Sequence, residues 1–188
     1  AMYRAKTSQD PHHIYSTADD VDAAALLQTV QELRSAAAEG QFVLHYQPKV
    51  DLDTGEVHSV EALVRWNHPT RGLLAPDAFL NLVEEFGLMP VLTRTVLSQA
   101  LDQVAAWHRD GHLLTVAVNL SSTSLADPGF PGLVASLLAD RGVAAGALQL
   151  EITERFLVND RGLARTILTT LRDSGVRISV DDFGTGYN

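Results

Sequence analysis

Four oxygen-bearing side chains lie toward the carboxyl ends of successive predicted strands. They are Glu61, Asn119, Glu151 and Asp181. Inward-facing donors at the carboxyl ends of several strands are the active-site arrangement of an α/β barrel. Because ligand sets made only of oxygen suit Mg²⁺, Mn²⁺ or Ca²⁺ rather than zinc or copper, the pattern predicts a site for a hard divalent cation. Asp182 follows Asp181 directly and would reach a second ion, as in two-metal sites.

Structural ion pairs are the alternative explanation for these carboxylates, since a buried carboxylate without a partner is costly. On the four strands that carry these donors, Arg65 is the only basic residue predicted to face the same way, away from the strand starts. One guanidinium cannot neutralise three carboxylates, which favours the metal site. A fixed guanidinium near metal-bound oxygens makes a good phosphate clamp, so Arg65 is a candidate phosphate-binding residue. Spacing alone leaves the role of Gln47 open.

The strand that carries Glu61 and Arg65 is predicted over residues 57–66, where apolar and polar positions alternate. Val60, Ala62, Val64 and Trp66 share one face, which can pack against helices, and Glu61, Leu63 and Arg65 share the other. A strand is predicted over 42–50 and a tight turn over 51–55. The two strands are consecutive, so we expect them to form an antiparallel pair.

The rest of the chain alternates between strand and helix patterns. Strands are predicted over 113–121, 148–154 and 177–183, and helices over 20–39, 76–87, 93–110, 130–140 and 160–173. Strands and helices that alternate with short connections indicate an α/β fold with a parallel sheet and right-handed crossovers. Both an open doubly wound sheet and an eight-stranded barrel fit this order.

Composition excludes several classes of protein. The 188 residues include no cysteine, which rules out disulfides, thiolate zinc sites and cysteine nucleophiles and suits a cytoplasmic location. The net charge of −9 argues against binding of long nucleic acid. No apolar run approaches the ~20 residues that span a bilayer, so we expect no membrane contact in this segment.

Several short motifs follow one another across residues 42–188. They are Y-Q-P at 46–48, E-A-L-V-R-W at 61–66, W-N-H-P at 66–69, V-N-L-S at 118–121, E-I-T-E at 151–154 and D-D-F-G-T-G-Y at 181–187. In these motifs and in their order the chain resembles EAL domains, the bacterial phosphodiesterases that hydrolyse cyclic di-GMP. Residues 1–6, A-M-Y-R-A-K, are similar to the final helix of GGDEF domains, which make cyclic di-GMP. The resemblance therefore implies a GGDEF remnant over 1–19, a linker helix over 20–40 and an EAL domain over 41–188.

The resemblance also implies a fold and a set of roles. The fold would be α/β, a modified (β/α)8 TIM-like barrel with an antiparallel first strand, C-terminally incomplete with about five of eight strands present. Glu61, Asn119, Glu151 and Asp181 would bind Mg²⁺ or Mn²⁺, with Asp182 on a second ion. Glu154 would steady the loop after Asp181 and Asp182, and Gln47 and Arg65 would bind the dinucleotide. One phosphodiester bond would be hydrolysed, and the product would be linear diguanylate (pGpG).

Two other functions stay open on the sequence. One is a non-catalytic EAL module that binds cyclic di-GMP and signals to a protein partner, and the other is an unrelated metal-dependent barrel hydrolase. The Lys, Glu and Gln motifs that the family carries later would lie beyond Asn188, so we expect the 188 residues by themselves to be inactive. An unpaired sheet edge predicts association with a second copy, as a homodimer. The resemblance further implies an upstream GGDEF domain in a parent protein, whose other segments could anchor it to a membrane.

Overall fold

The computed structural model describes residues 17–153 and 162–181. These residues form an α/β fold in which helices pack on a mixed sheet. The strands are β1 (Phe42–Val50), β2 (Val57–His68), β3 (Gly72–Leu74), β4 (Thr115–Asn119), β5 (Leu148–Thr153) and β6 (Arg177–Asp181). The α-helices are α1 (Thr17–Ala36), α2 (Leu80–Glu85), α3 (Met89–Arg109), α4 (Ser122–Leu125), α5 (Phe130–Arg141) and α6 (Leu163–Asp173), with short 3₁₀ turns at Pro76–Ala78 and Ala145–Ala147.

β1 and β2 form the antiparallel hairpin that the sequence predicts, with Gln47 opposite Glu61. Asp51 stabilises the turn, because its Oδ1 accepts the backbone N–H groups of Asp53 and Thr54 at 3.0 and 2.9 Å. The hydrogen bonds from Thr54 lower the pKa of the Asp51 carboxyl below its usual value. Gly55 closes the turn at φ 72°, in the left-handed region that favours glycine. Both the pairing and the bounds of β1 are as predicted.

The remaining strands extend the sheet in the order β1-β2-β4-β5-β6, and every pair after the hairpin in that order is parallel. The five predicted strands are all present, although β4 is shorter than the predicted 113–121. Residues 154, 182 and 183, which were predicted to extend β5 and β6, lie outside the described residues. The short strand β3, which pairs antiparallel with β2, and the short helix α4 were not predicted.

Helices cover the apolar face of the sheet, as the alternation in β2 predicts. Val60, Ala62 and Trp66 are buried on that face, and Val64 is half-buried. The indole ring of Trp66 packs between the rings of Phe42 and Phe79, with centroids 6.1 and 5.8 Å away. Each large apolar side chain buried in this way contributes roughly 1.5–3 kcal/mol.

The outer face of β1 packs on α3. The ring of Tyr46 lies edge-on to that of Trp107, with the centroids 5.0 Å apart. Burial of this phenol, together with the charge of Asp102, raises the pKa of Tyr46 to about 12. Tyr46 is therefore a neutral core-facing residue, and Gln47, the next residue, points to the opposite face.

Helix α1 begins and ends three residues before the predicted bounds of 20–39 and packs on the fold through Val30, Leu33 and Ala36. Among the described residues, no helix combines the length and the apolar content that crossing a membrane requires. The assignment of this helix as a linker stays a prediction.

A buried histidine attaches α1 to β2. His68 is 3% exposed, and its Nδ1 accepts the backbone N–H groups of Thr70 and Arg71 at 3.2 Å each. Nε2 therefore carries the ring proton and donates it to Glu32 Oε2 at 3.0 Å. Arg71 Nη2 donates to the same oxygen at 3.1 Å. The hydrogen bond from His68, with a further one from Gln28, lowers the pKa of the Glu32 carboxyl.

Candidate functional site

Glu61 and Asn119 meet on the polar face of two neighbouring parallel strands. Glu61 is half-buried on β2, in register with Ala117 of β4. Asn119 is two residues further along β4 and therefore lies on the same face, nearer the carboxyl edge. Its Nδ2 donates to Glu61 Oε1 at 2.8 Å. The structure thus brings together two of the four predicted donors.

Glu151 lies on the next strand, β5, in register with Asn119. Only 6% of its surface is exposed. Its Oε1 accepts hydrogen bonds from Gln149 Nε2 at 3.1 Å and from Ser179 Oγ at 3.4 Å. Gln149 also donates to Ser179 Oγ at 2.8 Å. These contacts hold Glu151 to β6 and orient one of its two oxygens.

Lys49 supplies a cation that the sequence analysis did not assign. Its Nζ lies 2.5 Å from Glu151 Oε1 and donates a hydrogen bond to it. Lys49 lies on β1, which carries none of the four predicted donors, so a count of basic residues on the donor strands alone leaves this cation out. Lys49 is two residues after Gln47 on β1, so the same alternation that places Gln47 on the polar face also places Lys49 there.

The contact between Lys49 and Glu151 shows how strongly the sheet is curved. β2 and β4 lie between β1 and β5, so a flat sheet would separate the outer two strands by about 14 Å, or three spacings of ~4.8 Å. A lysine and a glutamate that touch across this distance require a concave sheet. The polar face is thus the inner face of a curled, barrel-like surface, with Ala117, the small residue between, leaving room above β4.

The fourth predicted donor, Asp181, is exposed at the end of β6, opposite Thr153. Glu154 and Asp182, also predicted as site residues, lie outside the described residues. Within residues 17–153 and 162–181, no three acidic or histidine side chains come close enough together to hold a metal ion. The complete ligand set therefore stays a prediction.

The described donors have the chemistry of a hard-cation site. Glu61 and Glu151 offer carboxylate oxygens, and Asn119 offers an amide. Asn119 turns its Nδ2 toward Glu61, and a half-turn about its last side-chain bond would present Oδ1 instead, since the two ends of an amide are nearly equal in shape. Glu61 contacts Asn119, and Glu151 is in register with Asn119 on the next strand, so the residue types present on this face fit a divalent ion.

Arg65 is half-buried on the same face as Glu61, four residues further along β2. Its Nη1 donates to the carbonyl oxygen of its own neighbour, Val64, at 2.8 Å. In the part of the chain that the structure describes, no carboxylate lies within ion-pair distance of this guanidinium. Arg65 therefore keeps most of its donors for a ligand. Gln47, opposite Glu61, is exposed.

A cavity of about 410 Å³ opens beside Asn119. Its walls are mostly apolar and come from β2, α2 and α3, with polar groups from α2 and from the carboxyl ends of β4 and β5. The lining includes Leu63, Met89, Leu92, Val96, Asn119, Ser121 and Thr153. A concave apolar pocket with a few polar groups at its edge is the usual form of a small-molecule site.

The comparisons with known proteins agree with this geometry. The chain is 44% identical over 169 residues to the cyclic di-GMP phosphodiesterase NbdA of Pseudomonas aeruginosa, which is 89% of this chain and 22% of NbdA. It is 39% identical over 190 residues to the bifunctional diguanylate cyclase/cyclic di-GMP phosphodiesterase MucR of the same organism, which is 100% of this chain and 28% of MucR. The chain thus spans about a quarter of the length of these curated relatives.

A solved structure of the PaMucR phosphodiesterase in complex with c-di-GMP superposes with a TM-score of 0.81 at 41% identity, covering 86% of this chain and 66% of that chain. The family model described as EAL domain matches residues 30–188. The resemblance inferred from the short motifs is confirmed, and the α/β fold with its antiparallel first hairpin is that of the solved relatives. The chain belongs to the EAL domain family.

Proposed function

We propose that this chain carries the active site of a metal-dependent phosphodiesterase that hydrolyses cyclic di-GMP to linear diguanylate. NbdA and MucR, its relatives, are named for cyclic di-GMP phosphodiesterase activity. The observation that carries the proposal is the meeting of Glu61 and Asn119 on the inner face of the sheet, one strand from the buried Glu151. A structural role alone would not need this row of donors near the carboxyl ends of three strands.

In this proposal Glu61, Asn119, Glu151 and Asp181 hold Mg²⁺ or Mn²⁺, and Asp182 contributes to a second ion. The ions would supply positive charge that lowers the pKa of a water molecule and neutralises the phosphate oxygens. Glu154, as part of the same proposal, steadies the loop that follows β6.

Substrate binding is assigned to Arg65 and Gln47. Cyclic di-GMP is an anion, and a chain with a net charge of −9 needs local cations to bind it. Arg65 can offer two parallel N–H donors to one phosphate, because only one of its donors is used within the described residues. Gln47 lies across the hairpin from Glu61, where its amide can reach the same ligand.

A non-catalytic module that binds cyclic di-GMP and signals to a protein partner is the second candidate. One observation favours it: Lys49 already neutralises Glu151, a predicted metal ligand. Such a module would use Arg65 and the apolar cavity but would not need the metal ions.

The wider setting of the domain is also part of the proposal. We place a GGDEF remnant at 1–19, a linker helix at 20–40 and the EAL domain at 41–188, with an upstream GGDEF domain in the parent protein. In support, the relative MucR is named as a bifunctional diguanylate cyclase/cyclic di-GMP phosphodiesterase. A cytoplasmic location is consistent with a chain that has no cysteine. The homodimer stays a prediction, which light scattering of the purified protein would test.

Turnover and binding, measured on the same sample, separate the two candidates. The full-length gene product should convert cyclic di-GMP to linear diguanylate with Mn²⁺, and chromatography would follow the conversion. Turnover should stop when a chelator is in excess. Glu61→Gln should abolish turnover, whereas calorimetry should still detect binding of cyclic di-GMP. Binding without turnover in the unmutated protein would favour the non-catalytic module, and neither binding nor turnover would refute both. Leu52→Ala, on the exposed turn, is the matched control and should leave both quantities unchanged.

A further inference from the structure

We propose that Lys49 competes with the divalent cation for Glu151: its ammonium neutralises this carboxylate in the metal-free protein and opposes metal binding. Lys49 is then a positioning residue that sets the metal affinity of the site. The inference rests on the proposed function, because that proposal assigns Glu151 as a metal ligand.

The first argument is the burial of Glu151. With 6% of its surface exposed, its charge is poorly solvated and needs a partner of opposite charge. Gln149 and Ser179 donate hydrogen bonds to it but carry no charge. Among the described residues, Lys49 is the cation within ion-pair distance of Glu151, and it is 38% exposed. The ammonium can therefore exchange its partner for water, whereas the carboxylate cannot.

The second argument is that the described donors to Glu151 converge on one oxygen. Lys49, Gln149 and Ser179 all donate to Oε1, and the described residues place no donor on Oε2. A divalent ion on Oε1 would have to replace the ammonium. On Oε2 it would share one carboxylate with a second cation, which is repulsive. In both positions Lys49 weakens metal binding.

The third argument is that the ammonium has somewhere to go. Ser59 lies directly opposite Lys49 in the hairpin. Its Oγ is buried and has no hydrogen-bond partner in the described part of the chain. This oxygen can accept a hydrogen bond from Lys49 when the ammonium leaves Glu151, so displacement does not strand the lysine.

Mn²⁺ affinity, measured by electron paramagnetic resonance of the free ion, tests the proposal in the full-length gene product. Lys49→Met removes the charge and keeps the length of the side chain. It should tighten Mn²⁺ binding by about tenfold or more, because the ion no longer has to replace one charge-assisted hydrogen bond. Lys49→Arg keeps the charge and should bind Mn²⁺ about as weakly as wild type. Arg172→Met removes the same charge from the exposed face of α6 and should leave the affinity unchanged.

Hydrogen exchange of the peptide that contains Leu148–Thr153 gives a readout that does not depend on activity. Without metal, Lys49→Met should exchange faster there than wild type, since Glu151 has lost its counter-ion, and saturating Mn²⁺ should restore protection. Equal or weaker Mn²⁺ binding by Lys49→Met would overturn the proposal, as would tighter binding by Lys49→Arg if the methionine variant fails to fold. If wild type hydrolyses cyclic di-GMP with Mn²⁺ and Lys49→Met changes neither the Mn²⁺ affinity nor the hydrogen exchange, only this inference fails. If wild type binds no Mn²⁺, the proposed metal-dependent function fails with it.

Discussion

Replacing Arg65 with lysine should weaken cyclic di-GMP binding although the charge is kept. A guanidinium carries five N–H donors, and the structure shows one of them on the carbonyl of Val64 at 2.8 Å. If two of the others form a fork on one phosphate, lysine keeps the charge and one contact but loses the second. One hydrogen bond to a charged group is worth roughly 1.5–3 kcal/mol, which corresponds to about a 10- to 150-fold increase in Kd.

The same substitution should have little effect on folding. The hydrogen bond to Val64 joins adjacent residues, and such a bond contributes about 0.5–1.5 kcal/mol at most. Calorimetric titration of cyclic di-GMP, with Ca²⁺ in place of Mn²⁺ so that turnover is slow, gives the affinity, and thermal unfolding of the same sample gives the stability. Arg71→Lys, in the turn between β2 and β3 where Arg71 donates to Glu32 of α1, is the control and should keep the wild-type Kd. An unchanged Kd together with a clear fall in Tm would show that Arg65 is structural and would refute the phosphate clamp.

Three further predictions concern the ligand set, pH and the core. Glu61→Asp should lower turnover strongly without unfolding the protein, because shortening a half-buried carboxylate by one methylene misplaces a metal ligand. Product formation and Tm, measured on one sample, test this, and normal turnover would contradict the assignment of Glu61 as a metal ligand. The hydrogen bond from His68 holds the pKa of Glu32 below its usual 4.5, so the carboxylate stabilises the fold above that pH and loses this effect as pH falls through its lower folded value. The Tm of wild type should therefore fall more steeply below pH 4.5 than that of Glu32→Gln, and parallel curves would show that the contact contributes nothing. Leu97→Ala should cost about 2–5 kcal/mol, because Leu97 is fully buried, whereas Leu52→Ala, at 97% exposure, should stay within about 0.5 kcal/mol in denaturant titrations. Equal costs would mean that α3 is not packed as described.

Much of the site is readable from local patterns. Alternation along β2 places Glu61 and Arg65 on one face and Trp66 on the other, because successive strand residues point in opposite directions. The D-L-D-T-G turn predicts the hairpin. Both predictions hold in the structure, and the register of the hairpin then sets Gln47 opposite Glu61.

Other features carry little local signal. β3 has three residues, too few to show a period, and pairs with β2 only because the chain turns back after His68. The contact of His68 with Glu32 joins residues 36 positions apart on a strand and a helix. Alternation along β1 places Lys49 on the polar face, but its partner lies on a strand that a flat sheet would place out of reach.

The sequence by itself determined which side chains each strand presents to each face, and the family motifs that these side chains form. It also determined which kinds of site the composition excludes, since a chain without cysteine has no disulfide, no thiolate zinc site and no cysteine nucleophile. These properties depend on residue type and on the two-residue period of a strand, which are both local.

Only the tertiary structure decided which of these side chains meet. The register between β2, β4 and β5 sets Asn119 beside Glu61 and Glu151, and the curvature of the whole sheet brings Lys49 to a carboxylate 102 residues away. Register and curvature follow from helices packing on the outer face and from the twist of all the strands together, so no single segment of the chain contains them.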